Sequence, residues 1–172
     1  MSRGLLSLRD IPAGGDVFID ANIFIYHFTG NSLECTDFLS RCEEGELKGA
    51  TSSLVLAEVL HRLMLAEASF KRLLKGPKMA EKIRRKPEIV SRLMEYSAAS
   101  QAVHGMKIKV CSLTEEIVLT SQDIRFKYGL MVNDSLIAAT MRDEGFLELA
   151  TNDDGFSRVD WIRVYKPDDL PT

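Results

Sequence analysis

DVFIDANIFIYHF, residues 16–28, decides the fold. Val17-Phe18-Ile19 is short, continuously apolar and rich in β-branching, the pattern of a strand covered on both faces. It ends on a carboxylate, Asp20, with Asn22 two residues later and apolar residues resuming to Phe28. A buried charge without a partner is costly, so Asp20 calls for one. Three partners fit: the amide of a following helix, a basic side chain, or a metal ion.

Working outward, residues 1–15 read as a lead-in ending in Pro12, Gly14 and Gly15. A helix is expected over 22–28, broken by Gly30, and another over 32–44 with Leu33, Phe38 and Leu39 inward and Gly45 at its end. A short strand over 47–51 leads to a helix capped by Ser52 or Ser53, whose apolar stripe from Leu54 to Met64 is expected to be core packing. Gly76-Pro77 and Pro87 divide the next stretch into two helical pieces, and Pro87 suits the first turn of a helix continuing over 88–104. Beyond it come a strand over 108–111, a capping box Ser112-Leu113-Thr114-Glu115 opening a helix to about Lys127, and a helix over 134–144 capped by Asn133 and stopped by Gly145. Strands over 146–150 and 161–165 flank a loop at 152–157, and Trp161 is expected to pack rather than stack a base. Alternating strands and helices predict an α/β fold of three layers, a central parallel sheet flanked by helices.

With 172 residues, 45% apolar and 27% charged, the chain suits one domain with a sizeable core. It shows no signal segment and no apolar run long enough to span a membrane, so a soluble, cytoplasmic protein is expected. Cys35, Cys42 and Cys111 form no Cys-x-x-Cys pair, and His27, His61 and His104 are scattered. This argues for buried, reduced thiols and against a zinc site. The net charge of −3 is divided unevenly. Residues 71–86 carry eight basic side chains against one acid, +7, which leaves −10 elsewhere. A single domain is expected, and this stretch is a candidate polyanion-binding patch through Lys71, Lys75, Arg84 and Arg85. A solvated helix face explains the same charges.

Sites in parallel α/β sheets form at the carboxyl ends of the strands. Asp20 and Asp153 fall there, one after each of two strands. Glu58 and Asp134 sit on helices reaching the same edge. Singly, each has an ordinary reading as a cap, a face residue, a first-turn acid or a loop acid. Together, four acids from separate elements repel one another unless a cation sits among them, and an all-oxygen set suits Mg²⁺ or Mn²⁺.

The chain resembles the PIN-domain nucleases and, within them, the VapC-type toxins of toxin–antitoxin pairs. The resemblance rests on FIDANIFIY at 18–26, SSLVLAEVLHRL at 52–63, YGLMVNDSLIAATM at 128–141 and LATNDDGF at 149–156, in the family's order. It implies metal-dependent RNA cleavage, with Asp20, Glu58, Asp134 and Asp153 as metal-site acids and 5′-phosphate and 3′-hydroxyl products. It also implies a homodimer and, for a toxin, an antitoxin partner. Two departures stand out: Ala21 replaces the small hydroxyl residue usual after the first acid, and the chain is longer than the family's compact toxins by a basic helical insertion at about 66–90, whose Lys71, Lys75, Arg84 and Arg85 become candidate RNA contacts. Asn22, Thr151 and Asn152 are expected to orient ligands or substrate, and Asp154 is a further candidate acid.

Other readings remain open. The protein could be an RNA-processing PIN nuclease outside toxin–antitoxin systems, or a non-catalytic module binding RNA or protein. An aspartyl phosphatase is disfavoured, because Asn22 stands where its Asp-x-Asp motif needs a second acid.

Overall fold

A computed structural model describes residues 6–170. The described strands are β1 (Leu6–Ser7), β2 (Asp16–Ile19), β3 (Lys48–Ser52), β4 (Lys109–Cys111), β5 (Glu148–Ala150) and β6 (Arg163–Lys166). They form one all-parallel sheet in the order β1-β6-β5-β2-β3-β4. The helices are α1 (Ala21–Phe28), α2 (Leu33–Glu43), α3 (Ser53–Phe70), α4 (Met79–Arg84), α5 (Pro87–Val90), α6 (Ala98–Gly105), α7 (Glu115–Tyr128) and α8 (Val132–Glu144). β2 lies inside the sheet, with Phe18 opposite Ala50 on β3 and Leu149 on β5. That is why its apolar run does not alternate: Val17, Phe18 and Ile19 are all fully buried.

The three-layer α/β expectation holds, and the corrections are local. The lead-in is structured: β1 pairs with β6, Leu6 opposite Tyr165, and Leu8–Asp10 forms a capped 3₁₀ turn. Leu33 is 77% exposed. The buried stripe of α2 is Cys35, Phe38, Leu39 and Cys42 at helical spacing, and Leu33, first after the Ser32 cap, lies off it. Ser52 caps α3 by accepting from the amide of Val55. Thr114, not Ser112, caps α7 by accepting from the Ile117 amide. Asn133 is inside α8, which starts at Val132 without a side-chain cap, so Asp134 occupies the third helical position.

The largest difference lies at 88–104. α5 ends at Val90, a 3₁₀ turn occupies Glu95–Ser97, and α6 begins only at Ala98. The cause is Glu67 on α3, a buried carboxylate that accepts from the amides of Met94 (3.1 Å) and Tyr96 (2.9 Å). Those amides would otherwise donate to a continuous helix. Most apolar burial is in one core around the sheet. A second, small cluster of Ala68, Leu74, Ile83, Ile89 and Leu93 sits against the end of α3. The three cysteines are buried and free, and burial pushes the Cys35 and Cys42 thiols up to about 12. No described helix is long and apolar enough to cross a membrane.

Candidate active site

Asp20 follows β2 and is the N-cap of α1, one oxygen accepting from the Ala21 amide at 2.7 Å. Its other oxygen, Oδ2, accepts from Thr151 Oγ1 at 2.6 Å and Asn22 Nδ2 at 3.0 Å. Capping therefore accounts for one oxygen only. Despite these bonds, burial pushes the carboxyl up to about 6, with Glu58 and Asp134 adding like charge. Asp134 is also raised, first by burial and then by Asp153 and Glu58. Asp20 thus feels Glu58 and Asp134, and Asp134 feels Glu58 and Asp153, the four being delivered by the end of β2, the second turn of α3, the first turn of α8 and the loop after β5.

Thr151 joins two of them. Its hydroxyl donates to Asp20 and accepts from the backbone amide of Asp153 (3.0 Å) and from Asn22 (3.1 Å), so its bonding capacity is filled. Asn152 donates its amide to Asn22 Oδ1 at 3.0 Å and its side-chain NH₂ to Tyr26 Oη at 3.2 Å. Asn22, Thr151 and Asn152 are therefore one network holding Asp20. Tyr26 completes that network and escaped the sequence reading. It is four residues after Asn22 on one helix, a spacing that puts both on one face. Arg62 is also new: it stands 3.9 Å from Glu58, one helical turn along α3. Asp154 separates from the cluster, being exposed and ion-paired to Lys166, which holds its carboxyl below the usual range.

Among the described residues no three His, Cys, Asp or Glu side chains are gathered tightly enough to ligate one ion as they stand. The four carboxylates share a field without closing into a cage, as uncompensated like charges do. Their donor chemistry is all oxygen and net negative, which fits a hard divalent cation better than zinc.

The RNA-contact candidates lie elsewhere. Lys71 follows the last residue of α3, 13 positions after Glu58, about 20 Å along the axis. It is committed to Glu67 (2.6 Å) and Glu95 (3.1 Å), and Arg85 to Glu81 (2.8 Å). Lys75 and Arg84 are exposed. An apolar groove of about 460 Å³ at the end of α3 is lined by Phe28, Leu63, Phe70, Tyr96 and Ala99, with Glu67 and Glu95 at it.

An all-parallel three-layer sheet with four mutually repelling carboxylates at its carboxyl edge defines a class of α/β proteins built around an acidic site. Within it the sequence is specific: residues 17–162 match the PIN domain model, and the chain belongs to the PIN domain family. It is 30% identical over 148 residues to Ribonuclease VapC2 of Methanocaldococcus jannaschii, covering 86% of this chain and 91% of that one. Ribonuclease VapC6 of the same organism is 23% identical over 159 residues, covering 88% and 97%. The VapBC2 structure of Rickettsia felis, bound to a DNA fragment from its promoter, superposes with a TM-score of 0.56 at 17% identity, covering 88% and 98%. Mycobacterium tuberculosis VapC20, a sarcin-ricin loop cleaving toxin, superposes at 0.55 and 14% identity, covering 85% and 96%.

Proposed function

We propose that this protein is a metal-dependent endoribonuclease and the toxin of a toxin–antitoxin pair, active in the cytoplasm. The observation that carries the reading is a buried Asp20 at the end of β2, tied through Thr151 to the Asp153 backbone, with Glu58 and Asp134 delivered by α3 and α8 close enough to add like charge. These residues would hold Mg²⁺ or Mn²⁺. When bound, the ion supplies an acidified water and neutralises charge on the attacked phosphate.

The chain's own residues set the geometry. Thr151 and Asn22 direct two donors at one oxygen of Asp20, which fixes the carboxylate plane and, with the Ala21 amide on the other oxygen, leaves one lone-pair site on Oδ1 open. Thr151 ties the Asp153 backbone to the same point, so the loop after β5 and the end of β2 keep register. The products expected are 5′-phosphate and 3′-hydroxyl ends. RNA cleavage should require added Mg²⁺ or Mn²⁺ and stop with EDTA. Asp20→Asn or Asp134→Asn should lower it by more than the roughly 10–100-fold cost of disturbing an outer-shell partner, with circular dichroism unchanged. A double variant cleaving like wild type overturns the site.

The antitoxin partner is supported by the likeness to VapC proteins. A homodimer is supported by Leu119 and Phe126, exposed seven positions apart on α7, with Met131 exposed nearby. Sedimentation at micromolar concentration should give a dimer, and a monomer alone refutes it.

A further inference from the structure

We propose that the basic unit at the end of α3 is a second RNA-contact site, so that affinity depends on how far the RNA extends from the point of cleavage. This rests on the ribonuclease reading for its substrate class, and on three observations of its own.

First, the unit is built. The cluster of Ala68, Leu74, Ile83, Ile89 and Leu93 gives residues 71–93 an apolar core, against which Met64 and Leu65 of α3 also pack. Glu67 fastens the unit's far end through the Met94 and Tyr96 amides. A merely solvated charge run needs neither.

Second, its charges divide into two sets. Lys71, Lys82 and Arg85 are used internally, on Glu67 and Glu95, on the Lys75 carbonyl and on Glu81. Arg72, Lys75, Lys78, Arg84 and Lys86 are exposed, and among the described residues none of them forms an ion pair. Five uncompensated cations on a chain of net −3 form the surface to which a polyanion is drawn.

Third, the spacing along α3 is defined. Arg62 stands one turn from Glu58, the small cluster begins at Met64, and the helix ends at Phe70, which is 87% exposed. Phe70 precedes the exposed Arg72 by two residues at the head of the basic stretch, and an exposed aromatic within a cationic segment is what single-stranded nucleic acid stacks on. At 3.4 Å per stacked nucleotide, the roughly 20 Å from Glu58 to the unit corresponds to about six nucleotides. An RNA of four nucleotides held at the carboxylates does not reach the unit, and one of twelve does.

The test is equilibrium binding of 3′-labelled RNAs of four, eight, twelve and twenty nucleotides by fluorescence anisotropy. It is run with Ca²⁺ in place of Mg²⁺, so that a hard cation still neutralises the carboxylates, and a gel after each titration verifies that the RNA is intact. Wild type should show a step in affinity between four and twelve nucleotides. The variant with Lys75, Lys78, Arg84 and Lys86 all changed to Ala should lose the step and move little on the four-nucleotide RNA. Four single-strand phosphate contacts make wild-type binding of the long RNA fall by about 50-fold more than the variant's when salt is raised fourfold. A smooth length dependence, or a variant that keeps the step, overturns the inference and leaves the cleavage reading standing. Cleavage failing while the step persists does the reverse. A variant weakened equally on all lengths overturns it too, because the charges would then act only as a general field. All four positions are exposed, and circular dichroism verifies the fold of the variant.

Discussion

At its first turns α3 is wedged against α1 and the sheet, with Val55 and Val59 fully buried, while at its last turns it leans on a unit without a strand and leaves Phe70 in solvent. The first half belongs to a body whose backbone donors go to the parallel ladder and to regular helices. The second half belongs to a segment where a side chain, Glu67, does what a ladder does elsewhere. The body fixes four carboxylates in one field, which needs rigidity. The unit presents cations to solvent, which needs only a scaffold. One helix connects them and sets their separation.

The sharpest way to break this comparison is to hollow each core in turn. Phe24 is fully buried in the main core, and Phe24→Ala should cost about 3–5 kcal/mol of global stability. Ile83 anchors the small core, and Ile83→Ala should cost less globally because residues 71–97 can open without the sheet. Glu67→Gln should act on the same segment by weakening the acceptor of two amides and leaving Lys71 half-paired, about 1–3 kcal/mol. Hydrogen exchange is the measurement. Both unit variants should speed exchange over 71–97 and leave β2 and β5 protected. If Ile83→Ala melts the whole protein in step with Phe24→Ala, the two regions are one cooperative body.

The same division explains what the sequence disclosed. β2, α1, α3 and α8 are long or strongly apolar, and packing agrees with their periodicity, so their existence was legible, with boundaries shifted by a residue or two except at the end of α3, which runs on to Phe70. The placing of Asp20 and Asp153 followed from topology, since parallel strands deliver their ends to one edge. What stayed hidden depends on tertiary partners. β1 exists because β6 offers an edge. The break before α6 exists because Glu67 reaches across, and no local signal marks an acid on one helix as the cap of a distant turn. Likewise, chain order alone leaves the basic stretch following directly on the helix that carries Glu58. The 18 residues of α3 carry it away instead.

A smaller effect sharpens the electrostatic half of the comparison. The unfolded chain gives up the Asp20 proton near 3.8 and the folded chain holds it until about 6, so the folded state binds more protons between those values. Stability of the metal-free protein therefore falls as pH rises through that window. Between pH 5 and pH 7 this group contributes about 1.4 kcal/mol, roughly 3–6 °C in Tm. Melts of metal-free wild type and Asp20→Asn across pH 4–7 measure it. The wild type should lose stability with rising pH relative to the variant, and saturating Mg²⁺ should remove the difference by favouring the ionised form. Parallel curves without metal would show that Asp20 is better solvated than its burial indicates. Glu67, whose hydrogen bonds hold its carboxyl below the usual range, has the opposite sign: its contribution is present above the ordinary carboxylate range and is lost as pH falls.

The smallest expected effect separates two neighbours. Asp153 and Asp154 are adjacent in TNDDGF, and either could be an acid of the site on sequence alone. The chain turns between them. Asp153 caps the 3₁₀ turn at Gly155, its amide is fixed by Thr151, and its charge is felt at Asp134. Asp154 points the other way, almost fully exposed, onto Lys166. A carboxylate this exposed adds little through its ion pair, because water screens its charge. Asp154→Asn should therefore leave Tm and RNA cleavage unchanged within measurement error, whereas Asp153→Asn should abolish cleavage. The ratio of the two cleavage rates is the measurement, and a ratio near one, whichever way both move, would mean that the loop after β5 does not discriminate between its two acids as placed.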